Sequence, residues 1–343
     1  ISLKGFGIHE MPAAIIAAGA ALYYVSDTRQ EQLKHISGIS RIEEDLYVWL
    51  DKFTIRNLEL IDSSNENAVA LIDVIDQTLT PMGSRLLKRW LLLPLKDKTV
   101  IEERQHAVSY FLDHPEFSSI ISNHLKQVGD LERLISKVAL GKISPREVQQ
   151  LRRSLEMVNS IRDTCMNSDN TAIRMIADQL NSCQLIKERI AKELHPDAPV
   201  MVNKGGVINE GVSDELDELR NISLNGKDYL LKVQQREAEK TGISSLKVGF
   251  NDVFGYFLEV THTHKDKVPA EWTRKQTLTN AERYITEELK VYEEKILGAE
   301  DKILSLETKL FSELVQAILE YIQPIQLNAS LIAKVDCLQS FAD

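Results

Sequence analysis

From about Thr279 to Ile322 the chain contains no proline, and Leu289, Ile296, Ile303 and Leu310 recur every seven residues. Tyr292, Ala299 and Leu306 follow the first three of these by three positions. This pattern predicts one helix extending on the order of 60 Å at ~1.5 Å per residue, with a narrow apolar stripe that needs a second helix beside it. A candidate partner lies upstream, where Asp214 to Lys240 reads as a helix and Thr241-Gly242 supplies a C-terminal glycine stop. Between the two the period changes. Leu246, Val248 and Phe250 alternate with Lys247 and Gly249, and Phe254, Tyr256, Leu258 and Val260 alternate beyond a turn at Asn251-Asp252, predicting a β-hairpin. Thr279 and Glu282 fit a capping box that would open the return helix and aim its free N–H groups at a nearby anion. The expected arrangement is an outgoing helix, a small β module at its tip, and a long helix back. A tip held away from a core has little to bury and is suited to binding another molecule.

The remaining sequence is mostly helical in pattern. Thr80-Pro81 and Ser144-Pro145-Arg146-Glu147 are helix starts, the second a capping box. Met82, Leu86, Trp90 and Leu93 fall on one face of the first, and the second runs to about Arg162. The polar stretch Asp163 to Asn170 reads as a connector, His195-Pro196 closes further helix, and Asn203-Lys204-Gly205-Gly206 marks a turn. Alternation of Leu46, Val48 and Leu50 within Ser40 to Asp62 suggests a strand or two. The apolar run Ala13 to Val25 falls short of the roughly 20 residues that span a bilayer and reads as a buried helix.

With 343 residues, 43% hydrophobic and 27% charged, the chain has material for more than one domain and little for disorder. Cys165, Cys183 and Cys337 are widely spaced and odd in number, favouring a reducing, cytosolic compartment over a disulfide framework. The chain opens on ISLKGFGIHE without an initiator methionine, as expected of a piece of a longer protein.

Charge singles out the β module. The formal net charge is −10, yet Lys240 to Thr286 carries seven Lys or Arg against five Asp or Glu, leaving −12 on the rest. Within it, RKQTLTNAERY (Arg274 to Tyr284) concentrates cations and neutral donors. Arg274 and Lys275 can pair with phosphate oxygens while Gln276, Thr277 and Asn280 offer neutral donors to the same backbone. On pattern alone the commoner reading is that Arg274 and Lys275 are solvated strand cations and Thr279 a plain helix cap. Tyr256, Phe257 and Trp272 could stack on bases, but a small β module needs them as core. His262 and His264 have no third ligand at a suitable spacing, so no metal is assigned. Catalytic signatures are missing: Gly141-Lys142 and Gly226-Lys227 lack the earlier glycine and following Ser or Thr of a phosphate-binding loop, and HExxH, GxSxG and EF-hand patterns are absent. The expectation is a binding chain without an active site or cofactor of its own.

Taken together, TPMGSRLLKRWLLLPL (Thr80 to Leu95), DLERL with the SPRE helix (Asp130 to Glu147), KVGFNDVFGYFLEVT (Lys247 to Thr261) and RKQTLTNAERY resemble the central region of the MutS family of bacterial DNA mismatch-recognition proteins. SLKGFGI and the Ala-rich helix are similar to the end of that family's connector domain, and RNLEL (Arg56 to Leu60) to the start of its core. The resemblance implies a mainly α, multidomain α+β chain: connector remnant over 1–35, helical core and lever over 36–226, β-rich clamp over 227–286, and the returning core and lever helix over 287–343. It implies that the clamp touches the backbone of double-stranded DNA without reading sequence, through Arg274, Lys275, Gln276, Thr277 and Asn280. Many family members place a lysine where this chain has Thr279, which removes one expected phosphate contact. The resemblance further implies ATP and Mg, a homodimer and a MutL-type partner for the intact protein, expected in the cytoplasm around the nucleoid and not at a membrane. The family's mismatch-reading Phe-x-Glu wedge and its ATPase domain have no counterpart here, because Phe257-Leu258-Glu259 falls in an expected strand and Phe311-Ser312-Glu313 within the long helix. Two other readings stay open: an arm that docks a partner helix along its heptad face, and a paralogue without mismatch reading, against which SLKGFGI speaks.

Overall fold

Side-chain caps set where most of the helices begin. The computed structural model describes residues 11–28, 36, 42–63, 68–251, 253 and 255–343. Its elements are α1 (Pro12–Asp27), α2 (Lys52–Asn57), α3 (Leu71–Ile75), α4 (Pro81–Leu92), α5 (Lys98–Asp113), α6 (Pro115–Leu125), α7 (Leu131–Ala139), α8 (Pro145–Met166), α9 (Thr171–Gln179), α10 (Gln184–Glu193) and α11 (Asp214–Thr241). Strands β1 (Lys247–Asn251), β2 (Gly255–Thr261), β3 (Thr273–Thr277) and β4 (Ala281–Ile285) follow, and then α12 (Glu287–Leu319) and α13 (Ile322–Ser340). The Thr80 hydroxyl accepts from Gly83 N–H at 3.0 Å with Pro81 at the first helical position. Ser144 and Glu147 satisfy each other's backbone N–H groups as a capping box, and Asn170 caps α9 through Ile173 N–H. The result is mainly α with one small antiparallel sheet.

The chain divides into two compact units, residues 1–200 with 312–343, and 201–311. In the first, α13 packs against α4, α5, α6, α7 and α9, while α8 packs against α6, α7, α9 and α10. Leu131, Ile135, Leu151, Leu155, Ile161, Ile325 and Ile332 are fully buried between them. Charged side chains are buried here as well, Lys187 on α10 and Asp336 on α13. Asp336 on α13 accepts Leu79 N–H at 2.9 Å, Thr80 N–H at 2.8 Å and the Thr80 hydroxyl at 2.6 Å, so it closes the N-terminus of α4. The bare backbone of Gly83 makes room for that carboxylate, since a Cβ there would lie 2.1 Å from it.

The second unit contains α11, the sheet in the order β1-β2-β4-β3, and the first part of α12. Gly242, with φ +65°, ends α11 in the left-handed conformation open to glycine. Gly205 and Gly206 turn the chain with φ of +70° and +72°, and the N–H groups of Gly206 and Val207 both donate to Glu307 at 3.2 Å. Arg220 reaches the same buried carboxylate at 2.6 Å, which ties α11 to α12. One face of the sheet packs into an apolar cluster of Leu230 and Val233 from α11, Leu246, Leu258, Val260, Trp272 and Tyr284 from the β module, and Leu289 from α12.

Several expectations are corrected. Thr279 and Glu282 do not open the return helix: Glu282 lies in β4, and α12 begins at Glu287 with Leu289 N–H donating to the Thr286 hydroxyl at 3.2 Å. β2 has an edge left by β1 that needs a partner, and Ala281–Ile285 supplies it in register, Leu258 opposite Tyr284. Leu289 and Ala299 of the heptad stripe are buried, Ile303, Leu306 and Leu310 half-buried, and the side chains of 292 and 296 lie outside the described residues. Residues 42–62 hold no named strand. Glu44–Leu46 is a 3-10 turn, Tyr47 and Leu95 make an isolated bridge, and Asp51 captures Thr54 N–H at 2.6 Å to start α2 instead. α1 forms as expected but buries none of its residues. α8 continues to Met166, one turn past the expected end, because Cys165 falls on its buried face. The buried face of α4 is Met82, Gly83 and Leu87, with Leu86, Trp90 and Leu93 only half-buried. The SLKGFGI motif, Asp252 and Phe254 lie outside the described residues.

Replacing Asp336 by Ala strands two backbone donors and one hydroxyl inside the first unit. Asp336→Ala is expected to lower unfolding free energy by about 3 kcal/mol in urea denaturation, whereas a midpoint within error of the native chain would show that the α4 terminus is satisfied some other way.

Candidate nucleic-acid interface

RKQTLTNAERY folds as the β3–β4 hairpin, with Leu278 N–H donating to Ala281 O at 2.8 Å across its turn. β4 is a central strand and β3 is an edge strand. Pairing runs Thr273 with Ile285 and Arg274 with Tyr284, then slips by one residue to Gln276 with Arg283 and Thr277 with Glu282. The extra residue is Lys275. A bulge leaves such a residue unpaired and re-aims its side chain. Lys275 is exposed and has no ion-pair partner among the described residues. A strand whose outer edge carries lysine and unpaired backbone groups is protected from pairing with another sheet and open to a polar ligand.

Because side chains alternate across a strand, the register assigns the hairpin's residues to two faces. Arg274 and Thr277 share a face with Glu282 and Tyr284, and Gln276 shares the other with Arg283. On the first face Glu282 is buried at 2% exposure. It accepts from the Tyr284 hydroxyl, from Lys265 Nζ at 2.9 Å and from Arg274 Nη1 at 3.4 Å. The Tyr284 hydroxyl, then Lys265, hold its carboxyl down at about 2. Burial, with Glu282 beside it, pushes the Tyr284 phenol up to about 12. On the second face Arg283 sits 4.2 Å over the Phe257 ring. Its guanidinium also donates to Glu259 at 3.0 Å and to the Gln276 carboxamide oxygen at 2.9 Å.

The five residues singled out in the sequence therefore share one hairpin but not one condition. Lys275, Thr277 and Asn280 are exposed and accessible. Arg274 is more than half exposed but shares Glu282 with Lys265. Gln276 is half-buried and occupied by Arg283. Asn280 O accepts His262 N–H at 3.2 Å, and Leu278 O lies 3.1 Å from His262 Nε2, so the 3-10 turn His262–Lys267 braces the hairpin tip. Lys265, which the sequence did not single out, is the second cation on Glu282. Its signal was the run of basic side chains in THTHKDK, which the histidines drew toward the question of metal binding. Among the described residues no three His, Cys, Asp or Glu side chains group as metal ligands. Trp272 and Tyr256 pack with the sheet core as expected, whereas Phe257 is buried on the opposite face beneath Arg283.

The Glu282 site has a pH signature. Its carboxyl titrates near about 2 in the folded chain and at the ordinary 4.5 once unfolded, so its contribution is fully present above pH 4.5 and is lost as pH falls toward 2. Glu282→Gln is expected to flatten the acid side of the stability profile over that window, read from urea midpoints between pH 5 and 2.5; an unchanged acid slope would mean that Glu282 titrates normally.

The family model for MutS domain III matches residues 53–342. The DNA mismatch repair protein MutS of Parabacteroides distasonis is 60% identical over 341 residues, covering 99% of this chain and 39% of that protein. The protein of the same name from Phocaeicola vulgatus is 59% identical over 342 residues, covering 100% of the chain and 39% of that protein. For Bacteroides thetaiotaomicron the values are 58%, 100% and 40%. The chain thus spans well under half the length of these relatives, and the matched family region is domain III.

Proposed function

The chain belongs to the MutS family, and from that premise we propose that it serves DNA mismatch repair as the part that holds duplex DNA, with the β module over 227–286 acting as a clamp on the phosphate backbone. The observation that carries the reading is the bulged edge strand β3, which presents unpaired Lys275 beside Arg274, with the exposed hydroxyl of Thr277 and carboxamide of Asn280 at the same end. Cations and neutral donors in that order suit phosphodiester oxygens. The β module carries no recognition helix or zinc finger among the described residues, and we take the grip to be independent of sequence, with the exposed cations meeting backbone oxygens. Its affinity is expected to be modest and salt-dependent, with Kd on the order of 10⁻⁴ to 10⁻⁶ M.

In the intact protein, α11 and α12 would act as levers that relay the state of an ATP- and Mg-binding domain to the clamp. A homodimer would close two clamps around one duplex, and a MutL-type partner would act downstream. The ionic ties of α12 to α11, Glu307 with Arg220 and Glu288 with Arg236, support a stiff helical pair able to carry such a signal. Among the described residues no helix is long and apolar enough to cross a membrane.

Fluorescence anisotropy of a labelled, fully paired duplex at two salt concentrations tests the grip. The native chain is expected to bind at low salt and to weaken as salt rises, and Arg274→Ala/Lys275→Ala to reduce affinity by about tenfold and shallow the salt dependence. Equal affinity of native and variant would place the DNA contact elsewhere on the chain.

A further inference from the structure

Glu282 poses a puzzle for a phosphate-binding edge. A strand meant to meet a polyanion carries, directly beneath its cations, a buried carboxylate that is itself an anion. Its three side-chain partners differ in kind. Tyr284 is buried and holds Glu282 from within the sheet. Lys265 and Arg274 approach it from outside and remain about half exposed, at 53% and 57%. They come from different elements, the 3-10 turn His262–Lys267 and the edge strand β3, and converge on one carboxylate only because β4 places Glu282 between them.

We infer that Glu282 is an internal counter-ion of a phosphate-binding edge made by Lys265, Arg274 and Lys275: it gathers the first two side chains at the hairpin and offsets one of their charges, so that a bound phosphodiester must compete with it for both. The inference rests on the reading of this hairpin as a phosphate grip, and it adds Lys265 to that grip. Three cations over one carboxylate leave a net charge of +2 at the edge. The carboxylate stays ionised through any pH at which DNA is handled, since its proton is lost near about 2, and its effect is therefore constant. The cation ends of both pairs are about half exposed, so Lys265 and Arg274 can turn to phosphate oxygens while the Tyr284 hydroxyl keeps Glu282 hydrogen-bonded, and the charge of the buried carboxylate limits how tightly they hold. A clamp that grips without sequence preference benefits from such a limit, because the same contacts must release and re-form along the duplex.

The test uses the 343-residue chain with Glu282→Gln, which retains an acceptor for the Tyr284 hydroxyl, and Lys265→Gln. Two probes are read: anisotropy of a labelled, fully paired duplex, and the salt concentration that elutes each protein from phosphocellulose. Glu282→Gln is expected to tighten duplex binding about three- to tenfold and to elute later, and Lys265→Gln to weaken binding about two- to fivefold and to elute earlier. Unchanged or weaker retention of Glu282→Gln on both probes, with Trp fluorescence matching the native chain, overturns the counter-ion. Should Glu282→Gln fail to fold, Lys265→Gln decides, since its exposed side chain can be changed without loss of the fold: native behaviour on both probes overturns the inference. Shifts on phosphocellulose without duplex binding by any variant would support the counter-ion and reject the reading of the edge as a DNA grip.

Discussion

The β module depends on one apolar cluster that it shares with two helices. Four short strands can bury one face only if something covers it, and an isolated sheet of this size is marginal in water. The cover comes from Leu230 and Val233 on α11 and from Leu289 on α12, packed against Leu258, Val260, Trp272 and Tyr284. Each such side chain contributes about 1.5 to 3 kcal/mol when fully buried, so the sheet and the two helices form one energetic unit. The consequence is mechanical. The strands cannot move far from the helices that supply their core, so any rotation of α11 or α12 carries the sheet with it. Glu293 adds to the connection by accepting Tyr256 N–H at 3.2 Å at the start of β2, where Gly255, with φ +76°, lacks the Cβ that would collide with its carboxylate.

Much of this was legible from sequence because local chemistry and global fold agree. The Thr80 and Ser144 caps, the Gly242 stop, the alternation through β1 and β2 and the Gly205-Gly206 turn all depend on a few neighbouring residues. The misreading of β4 has a different origin. Ala281, Glu282 and Arg283 are acceptable helix formers, the heptad stripe begins soon after, and Thr279 with Glu282 matches a capping box by spacing alone. What decides the segment is remote in sequence: the open edge of β2 and the aromatic surface around Leu258 that Tyr284 completes. Tertiary demand overrode local propensity. The same holds in reverse for Leu46 and Val48, whose alternation meets, among the described residues, only the isolated bridge of Tyr47 with Leu95.

The candidate site was legible in its residues but not in its wiring. The sequence identified RKQTLTN as a cluster of cations and donors, yet could not show that a bulge frees Lys275, that Arg283 occupies Gln276, or that Lys265 arrives from another turn. Those facts depend on register, and a slip of one residue exchanges the faces of a strand. Had β3 paired without the bulge, Gln276 and Thr277 would have traded faces, and the neutral donors beside the cations would differ.

Three of the buried carboxylates show what separates a structural acid from an adjustable one. Asp336 and Glu307 each receive two backbone N–H groups, from Leu79 and Thr80 and from Gly206 and Val207. Backbone donors cannot leave without dismantling the chain around them, and an unsatisfied buried group costs more than the bond itself contributes. These two acids are therefore fixed parts of the fold. Glu282 receives side chains only, among the described residues, and two of the three reach it from the exposed side. Its burial in β4 holds it in place beside Tyr284, whereas Lys265 and Arg274 keep about half of their side-chain surface exposed. A fixed anion under movable cations is an arrangement that pure stabilisation does not require, since an apolar residue beside Tyr284 would close the sheet as well. Under the proposed phosphate grip, that placement sets a limit on what Lys265 and Arg274 can hold outside.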